Sequence, residues 1–442
     1  MSTIAAIATA RGEGGIAIVR VSGGEAERIL RGAFRPAGKK KKEFESHRLY
    51  FGCAVDGQGG VIDEAMAVLM RAPRSYTRED VAEIHCHGGF AAAGRVLRRV
   101  LQLGAEPAGP GEFTRRAFEN GRIDLSRAEA VMGVISAGSE AALRASVREL
   151  EGGVSRFIGE CRASLTDLLA LIEANNDFPE EIDEPAAARR VADEARAIAG
   201  RLLARADEKA ARIVREGVSV VLAGRPNVGK SSLLNALTGT ERAIVTDIPG
   251  TTRDVLTESV NLDGIRVALS DTAGQRDADD KIEMIGVERA RTAQNNADIV
   301  LFVLDGSEAL TDEDRALLDR RDGRCIVVLN KDDLSAGGDV QADIRVSART
   351  GEGIGALAAM IREKAGAAAL QEGMLTRERH IICAKAAAAA LQRAAQAVEE
   401  GAPLDMASVD LWEARRLLGE ITGEDATEDV IDAVFRNFCV GK

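Results

Sequence analysis

The chain has 442 residues, a formal net charge of −12 and a composition that is 45% hydrophobic and 29% charged. This length is enough for about three domains with their own cores, and the acidic balance excludes a protein that wraps nucleic acid with a broadly basic surface. Six cysteines without Cys-x-x-Cys spacing indicate neither a disulfide framework nor a zinc site, and they favour a reducing cytoplasm. No apolar run approaches the ~18 residues of a membrane span, and no signal peptide is expected.

Residues 1–118 alternate short strand-like runs with glycine turns, which predicts a small α/β domain. The predicted strands are Ile4–Ala8, Ile16–Val21, Leu49–Val55, Ala65–Met70 and Val81–His87, and the predicted helices are Gly24–Leu30 and Phe90–Leu103. His85 and His87 would face one way on a strand and offer two metal ligands without a third. A structural strand end before Gly88 is therefore the favoured interpretation.

From Arg122 the apolar spacing becomes helical and continues through Leu171. Residues 177–183 interrupt it, and a new helix with Pro185 in its first turn is predicted to end near Gly217. Helical composition returns at Ala384–Val398, Asp410–Leu418 and Glu428–Phe438.

The simplest account of this distribution is one helical domain made from two separate parts of the chain, residues 119–215 and residues 371–442. A different domain, residues 216–370, is then inserted between them. The alanine run 386–390 is interpreted as strong helix propensity within the second part.

The inserted domain starts with a predicted strand, a glycine-containing loop and a helix. Gly224, Gly229, Lys230 and Ser231 have the spacing of a phosphate-binding loop, whose backbone N–H groups surround the phosphates of a nucleotide. The lysine would reach the β and γ phosphates, and the serine hydroxyl would bind Mg²⁺. The N-terminus of the following helix adds partial positive charge.

Three further motifs each follow a strand-like run: Asp271–Gly274, Asn330–Asp333 and Ser347–Arg349. Asp271 can hold Mg²⁺ through water, and Gly274 can bring a backbone N–H to the γ phosphate. The carboxylate of Asp333 can accept two hydrogen bonds from the N1–H and exocyclic amine of guanine, which adenine cannot supply. The predicted nucleotide is therefore GTP.

The loop Gly224–Ser231, the stretch Ile244–Asp254 and the terminal Phe438–Lys442 together resemble the MnmE (TrmE) family of tRNA-modification GTPases, and Val19–Gly23 and Pro110–Phe113 agree with it. The resemblance covers essentially the whole chain. It implies a small N-terminal α/β folate-binding domain, a discontinuous helical domain and an inserted Ras-like P-loop GTPase domain.

The resemblance also implies an activity and partners. It implies a cytoplasmic homodimer joined through the N-terminal domains, whose GTPase activity requires K⁺ and the meeting of two GTPase domains. With the flavoprotein MnmG, in an expected heterotetramer, the family modifies carbon 5 of the wobble uridine of certain tRNAs. The one-carbon donor is 5-formyl- or 5,10-methylene-tetrahydrofolate.

Site residues can be assigned by position within this resemblance. The folate positions are Arg20, Glu83, Arg122 and Lys442, and the arginine at 122 stands where some members carry lysine. The K⁺ positions are Asn227, Thr246, Ile248 and Thr251, and the Mg²⁺ positions are Ser231 and Thr252. The other nucleotide positions are Val228, Gly229, Lys230, Ser232, Asp247, Pro249, Gly250, Asp271, Thr272, Ala273, Gly274, Asn330, Lys331, Asp332, Asp333, Ser347, Ala348 and Arg349.

Three residues are assigned to catalysis. Cys439 belongs to the terminal motif of the family and is placed in the modification site without an assigned step. Glu283 matches the glutamate that orients the attacking water indirectly in the family. Gln275 departs from the family, which usually has an aliphatic residue there, and glutamine is the type that Ras-like GTPases use to orient water. We expect Glu283 to dominate.

Two other functions compete with this one. A ribosome-assembly GTPase switch would share the nucleotide motifs, but it should carry a basic RNA-binding module on its flank. A folate-dependent one-carbon transferase regulated by GTP is the weaker alternative. The acidic balance, the helical flanks and the Cys-Val-Gly-Lys end favour the tRNA-modification GTPase.

Overall fold

The structure is a computed structural model that describes residues 2–10, 12–38, 43–181, 183–240, 257–262, 265–271, 294–334, 341–365 and 373–442. The chain divides into two compact units. The first comprises Met1–Met132, Glu149–Asp177 and Leu411–Lys442, and the second comprises Gly133–Arg148 and Phe178–Asp410. The predicted helical segments 119–215 and 371–442 each contribute residues to both units.

The first unit contains a seven-stranded sheet in the order β3-β4-β5-β6-β2-β1-β7. Its strands are β1 (Ile4–Ile7), β2 (Ile16–Ser22), β3 (Phe34–Pro36), β4 (Arg48–Val55), β5 (Val61–Met70), β6 (Val81–His87) and β7 (Glu106–Pro107). All neighbours pair antiparallel except β1 and β7, which are parallel. Helices α1 (Ala26–Ala33) and α2 (Phe90–Gln102) supply Ile29, Leu30 and Val96 to the core of this sheet.

The five predicted strands and two predicted helices of this region are confirmed, with shifts at their ends. The sequence missed β3 and β7, because two or three residues are too few to show a period of two. It also missed α3 (Glu112–Glu119), whose sequence Glu-Phe-Thr-Arg-Arg-Ala-Phe-Glu buries Phe113, Thr114, Arg116 and Ala117 on one face.

The helical region is more divided than predicted. The single pattern up to Leu171 is three helices, α4 (Leu125–Ser136), α5 (Glu140–Leu150) and α6 (Gly153–Asp177). The helix expected to run from Pro185 to Gly217 is two, α7 (Glu184–Leu203) and α8 (Glu208–Glu216). The separate start of α8 has a local cause, because the Asp207 carboxylate accepts a 3.0 Å hydrogen bond from the Ala210 N–H.

The second unit contains a six-stranded sheet in the order β13-β12-β11-β8-β10-β9. Its strands are β8 (Val218–Ala223), β9 (Thr257–Leu262), β10 (Ile265–Asp271), β11 (Ile299–Asp305), β12 (Cys325–Asn330) and β13 (Ile344–Arg345). All pairs are parallel except β9 with β10. Helices α9 (Lys230–Thr240), α10 (Asp312–Leu318) and α11 (Ile354–Ala365) follow β8, β11 and β13 along the chain.

Every residue of β11 and β12 is buried, as expected for central parallel strands with both faces covered. Because β8, β11 and β12 are parallel, their carboxyl ends lie at one edge of the sheet, where ligands of open α/β sheets bind. The phosphate loop, Asp305 and Asn330 therefore lie at the same edge.

The remaining helices are α12 (Glu378–Glu399), α13 (Leu404–Thr422) and α14 (Glu428–Arg436). The alanine run 386–390 lies inside α12, as predicted. The two sheets and the helical segments confirm the predicted class, which is multidomain α/β plus α. Among the helices that the structure describes, none is long and apolar enough to cross a membrane.

Candidate functional site

The phosphate loop connects β8 to α9 and encloses the side chain of Lys230. Lys230 is buried, and its Nζ donates hydrogen bonds to the carbonyl oxygens of Gly224 at 2.7 Å and Arg225 at 2.8 Å. A buried ammonium group is expensive unless it has such acceptors. The predicted phosphate-binding lysine is therefore held inside the loop, at the start of α9.

The phosphate loop has three residues with positive φ angles, which restrict the residue types that fit there. Gly224, Asn227 and Gly229 have φ angles of 155°, 65° and 93°. A Cβ atom at position 229 would lie 2.3 Å from Nδ2 of Asn330, so only glycine fits there. The missing side chain at this position leaves room for the Asn330 amide to lie directly against the loop.

Asn330 joins three motifs that are distant in sequence. Its Nδ2 donates to the carbonyl oxygen of Val228 at 2.9 Å, and its Oδ1 accepts from the N–H of Ala348 at 3.1 Å. Asn330 is only 1% exposed. Its side chain therefore holds the phosphate loop and the Ser347–Arg349 loop in place.

The carboxylate of Asp333, predicted to bind guanine, has two partners. The Ser347 hydroxyl donates to Oδ1 at 2.6 Å, and Nη2 of Arg349 lies 2.6 Å from Oδ2. The Ser347 hydrogen bond, together with the charge of Arg349, lowers the pKa of Asp333 below its usual value. The group is therefore ionised near neutral pH, which is the state that accepts hydrogen bonds from guanine.

Lys331 forms a contact that the sequence did not predict. Its Nζ lies 2.6 Å from Oδ2 of Asp305, at the end of β11. The other carboxylate oxygen of Asp305 accepts from the Ser307 hydroxyl and N–H, at 2.6 and 3.0 Å. Asp305 stands in no recognised motif, so only the parallel pairing of β11 with β12 could have indicated it.

The structure describes part of the predicted nucleotide site. Ser231 and Ser232 lie in the first turn of α9, and Asp332 begins a short 3₁₀ turn. The following predicted residues lie outside the described residues: Thr246, Asp247, Ile248, Pro249, Gly250, Thr251, Thr252, Thr272, Ala273, Gly274, Gln275 and Glu283. Of the four predicted K⁺ ligands, Asn227 is described.

Two of the predicted folate residues contact each other in the first unit. Arg20 on β2 pairs with Glu83 on β6, and Nε of Arg20 donates to Oε1 of Glu83 at 2.8 Å. Nε2 of His85 lies 3.1 Å from Oε2 of the same carboxylate. Burial raises the pKa of Glu83, but the contacts with His85 and Arg20 outweigh it and place that pKa below its usual value.

The two histidines of β6 hold different carboxylates. Nδ1 of His87 lies 2.9 Å from Oδ1 of Asp63, whereas His85 contacts Glu83. In the described ranges, no group of three His, Cys, Asp or Glu side chains has the arrangement of a metal site. β6 ends at His87, as predicted.

Tyr76 contacts both predicted folate arginines and was missed by the sequence analysis. The guanidinium of Arg122 lies 4.7 Å from the ring centroid, and that of Arg20 lies 5.5 Å from it. The Tyr76 hydroxyl lies 2.9 Å from Oγ1 of the buried Thr114. A single tyrosine in a polar loop carries no spacing signal, so only the tertiary structure identifies it.

The chain end packs on residues 111–113 within the same unit. The N–H groups of Gly111 and Phe113 donate to the carbonyl oxygens of Cys439 and Lys442, at 3.3 and 3.2 Å. The ring of Phe113 lies 5.6 Å from the Arg20 guanidinium. Phe113 therefore contacts both Arg20 and Lys442, and Cys439 is exposed.

Comparisons with known proteins agree over the whole chain. Residues 3–122 match the family described as GTP-binding protein TrmE N-terminus, and residues 125–439 match the MnmE helical domain. The tRNA modification GTPase MnmE of Geobacillus thermodenitrificans is 45% identical over 100% of this chain and 99% of its own length. The MnmE proteins of Moorella thermoacetica and Bacillus subtilis are 46% and 43% identical, over 100% of this chain and 99% and 100% of theirs.

Among solved structures, Era of Aquifex aeolicus bound to GDP and AlF₄⁻ is 26% identical over 33% of this chain and 56% of that chain. The TM-score of 0.27 is too low to support an inference. The family matches and the full-length relatives are sufficient by themselves. This chain belongs to the MnmE family of tRNA modification GTPases.

Proposed function

We propose that this GTPase is activated by K⁺ and acts with a flavoprotein of the MnmG type on carbon 5 of the wobble uridine of certain tRNAs. A tetrahydrofolate one-carbon unit is the carbon source in this proposal. One observation carries the proposal: the chain contains two separate candidate sites. The loops around Asn330, at the carboxyl edge of the second sheet, fit a guanine nucleotide. The cluster of Arg20, Glu83, Tyr76 and Arg122 in the first unit fits a folate.

The nucleotide part of the proposal uses the side chains at the carboxyl edge of the second sheet. Asp333 would accept from guanine, Lys230 would turn from its two backbone carbonyls to the phosphates, and Ser231 would bind Mg²⁺ with Thr252. Bound Mg²⁺ would neutralise charge on the β and γ phosphates.

The proposal of K⁺ is supported by the environment of the loop arginine. Arg225 is the only arginine in residues 224–231, and its guanidinium is paired with Asp314 and Glu308. It is therefore engaged outside the phosphate-binding loop. Asn227, in the middle of the loop, has an exposed side chain and a backbone in the left-handed conformation, with a φ of 65°. A cation held there would supply the positive charge that an arginine finger supplies in other GTPases.

The folate proposal fits the chemistry of the first cluster. Arg20 and Arg122 offer positive charge to the glutamate carboxylates of the donor, together with Lys442 at the packed chain end. Glu83 is ionised and each of its oxygens can accept further hydrogen bonds, such as those of a pterin ring. Cys439 is exposed at the packed chain end, where its carbonyl oxygen accepts from the Gly111 N–H, and is proposed to act in the modification site.

A homodimer joined through the N-terminal sheets is part of the proposal. Leu49 and Phe51 lie two residues apart on the same face of β4 and are 49% and 57% exposed. Grouped large apolar side chains at a surface are typical of an interaction site. The flavoprotein would bind this dimer as a heterotetramer in the cytoplasm, where its tRNA substrate is found.

The experiment that tests the function is nucleoside analysis of tRNA from a deletion strain. We expect unmodified wobble uridine in that strain and restoration by the wild-type gene. Two matched variants should fail to restore it for different reasons: Lys230→Ala through GTP, and Arg20→Ala through folate. Normal modification in the deletion strain would overturn the proposal, and accumulation of ribosome precursors would favour the assembly GTPase instead.

A further inference from the structure

The side chain of Arg225, the first residue after Gly224 in the phosphate loop, extends to helix α10. Its Nε lies 3.0 Å from the carboxylate of Asp314, and its Nη2 lies 3.5 Å from Glu308. Asp314 is 2% exposed, whereas Glu308 is exposed. The contact with Asp314 is therefore the one that solvent screens least.

Asp314 is itself fixed at the start of α10. Its Oδ2 accepts hydrogen bonds from the N–H of Thr311 at 3.0 Å and from the Thr311 hydroxyl at 2.8 Å, in a capping box. Burial raises the pKa of Asp314, but Thr311 and Arg225 outweigh it, so the pKa lies below its usual value. The partner of Arg225 is thus a charged group in a fixed position.

The backbone of Arg225 belongs to the nucleotide site. Its carbonyl oxygen accepts from Nζ of Lys230 at 2.8 Å, so one residue links the phosphate-binding lysine to α10. At the neighbouring Gly224, with a φ of 155°, a Cβ would lie 2.3 Å from the carbonyl oxygen of Val303. This first half of the loop is therefore bent closely against β11 and needs support.

When a nucleotide binds, Lys230 has to turn from the two loop carbonyls toward the phosphates. The loop then loses support on its inner side, while the contact of Arg225 on its outer side is unaffected. We infer that Arg225 is a positioning residue of this GTPase, and that its ion pair with Asp314 holds the first half of the phosphate loop in its nucleotide-binding shape. This inference rests on the GTPase activity and is independent of K⁺ and folate.

The test compares GDP affinity and GTP turnover in full-length variants. Arg225→Gln removes the charge and should weaken GDP binding by about tenfold, the effect of losing one hydrogen bond between charged groups. Arg225→Lys restores the charge without the planar fork and should give an intermediate affinity. The loss should appear mainly as a higher KM with little change in kcat, because the bound substrate and the transition state use the same loop.

Two control variants separate positioning from simple stability. Leu317→Ala removes a half-buried side chain that packs this helix against the core and leaves Arg225, Asp314 and Thr311 in place, so it should lower the melting temperature and leave GDP affinity unchanged. Arg315→Ala removes the exposed pair with Asp312 on the same helix and should change neither.

Wild-type GDP affinity in Arg225→Gln would overturn the inference. Equal losses of affinity in Arg225→Gln and Leu317→Ala would also overturn it, because they would show that α10 stability is the cause. A loss in Arg225→Gln alone, partly recovered by Arg225→Lys, would support it.

Discussion

The side-chain amide of Asn330 donates a 2.9 Å hydrogen bond to the carbonyl oxygen of Val228, and this bond fastens the guanine motif to the phosphate loop. The same amide group accepts from the N–H of Ala348. Three loops that each follow a different strand are thereby held together at one edge of the sheet. In the proposed nucleotide site, one buried residue therefore connects the loop assigned to the phosphates with the loops assigned to the base.

We predict that Asn330→Ala lowers GDP affinity by about a hundredfold, since one buried and one partly buried backbone group lose their partner at ~1–3 kcal/mol each. Isothermal titration calorimetry with GDP measures the effect. Lys331→Ala is the matched control in the same motif, because its contact with Asp305 does not reach the phosphate loop. An affinity change smaller for Asn330→Ala than for Lys331→Ala would contradict the coupling.

We predict that GTP hydrolysis is slow in Na⁺ and faster in K⁺, because Asn227 and Thr246–Thr251 offer oxygen ligands where other GTPases use an arginine. Turnover is measured in the two salts at equal ionic strength. Asn227→Ala should erase the difference between them. Equal rates for the wild-type protein would remove the potassium assignment.

We predict that Glu283→Ala lowers K⁺-stimulated kcat by about a hundredfold, the usual effect of losing a group that orients water. Gln275→Leu should lower it only severalfold, with nucleotide affinity unchanged in both variants. Single-turnover hydrolysis gives the two rates. The opposite order would show that Gln275 takes the role that glutamine has in Ras-like GTPases.

Tyr76 gives a prediction for the folate cluster. Tyr76→Leu removes the ring that contacts the guanidinium groups of Arg20 and Arg122. Each cation–π contact contributes about 1 kcal/mol to holding its arginine in place. The affinity for 5-formyl-tetrahydrofolate should therefore fall by about tenfold or more. Calorimetry measures it, and Tyr76→Phe, which keeps the ring, should bind nearly as well as the wild type.

The controls for Tyr76 distinguish two failures. If the wild-type protein binds no folate, the folate assignment itself is wrong. If it binds and Tyr76→Leu binds equally well, the folate assignment stands and the role of the ring is wrong. GTP turnover should be unchanged in both variants, since Tyr76 and the phosphate loop belong to different units.

Asp298 gives a prediction for stability and its pH dependence. Its carboxylate accepts from the Ser219 N–H and hydroxyl, each at 2.9 Å, and pairs with Arg212. Asp298→Asn should destabilise the second unit by about 1–2 kcal/mol, because Arg212 loses a charged partner, and solvent screens part of that loss at the partly exposed guanidinium. Differential scanning calorimetry measures the loss, and Asp312→Asn, at an exposed position, should change little.

The sign of the pH effect follows from the pKa of Asp298. Burial raises that pKa, but Arg212 and Ser219 outweigh it and lower it below the ordinary value of 3.8. The stabilisation is therefore complete above the ordinary value and is lost as the pH falls through the lowered one. The difference between wild type and Asp298→Asn should be constant near neutral pH and shrink only in strong acid. A difference that shrinks between pH 7 and pH 5 would contradict the assignment.

Local sequence was sufficient for the elements that carry a strong period. The alternation Val-Ala-Glu-Ile-His-Cys-His predicts β6 with its observed ends, and residues 177–183 correctly separate α6 from α7. Local sequence was insufficient where a single capping side chain sets the start of a helix. At Asp207 helix propensity continues across the boundary, so the pattern did not show that α7 ends and α8 begins there. β3 and β7 are strands because they pair with β4 and β1. Their own two or three residues carry no pattern that predicts this pairing.

The sequence by itself determined the nucleotide chemistry, because the spacing of Gly224, Gly229 and Lys230 fixes a loop whose geometry follows from a few neighbouring residues. The tertiary structure decided which side chains hold that loop. Asn330 and Val228 are 102 positions apart, and Arg225 and Asp314 are 89 apart. Such pairs form only after the parallel strands have brought their carboxyl ends together, so the contacts depend on the order of strands in the sheet rather than on any spacing along the chain.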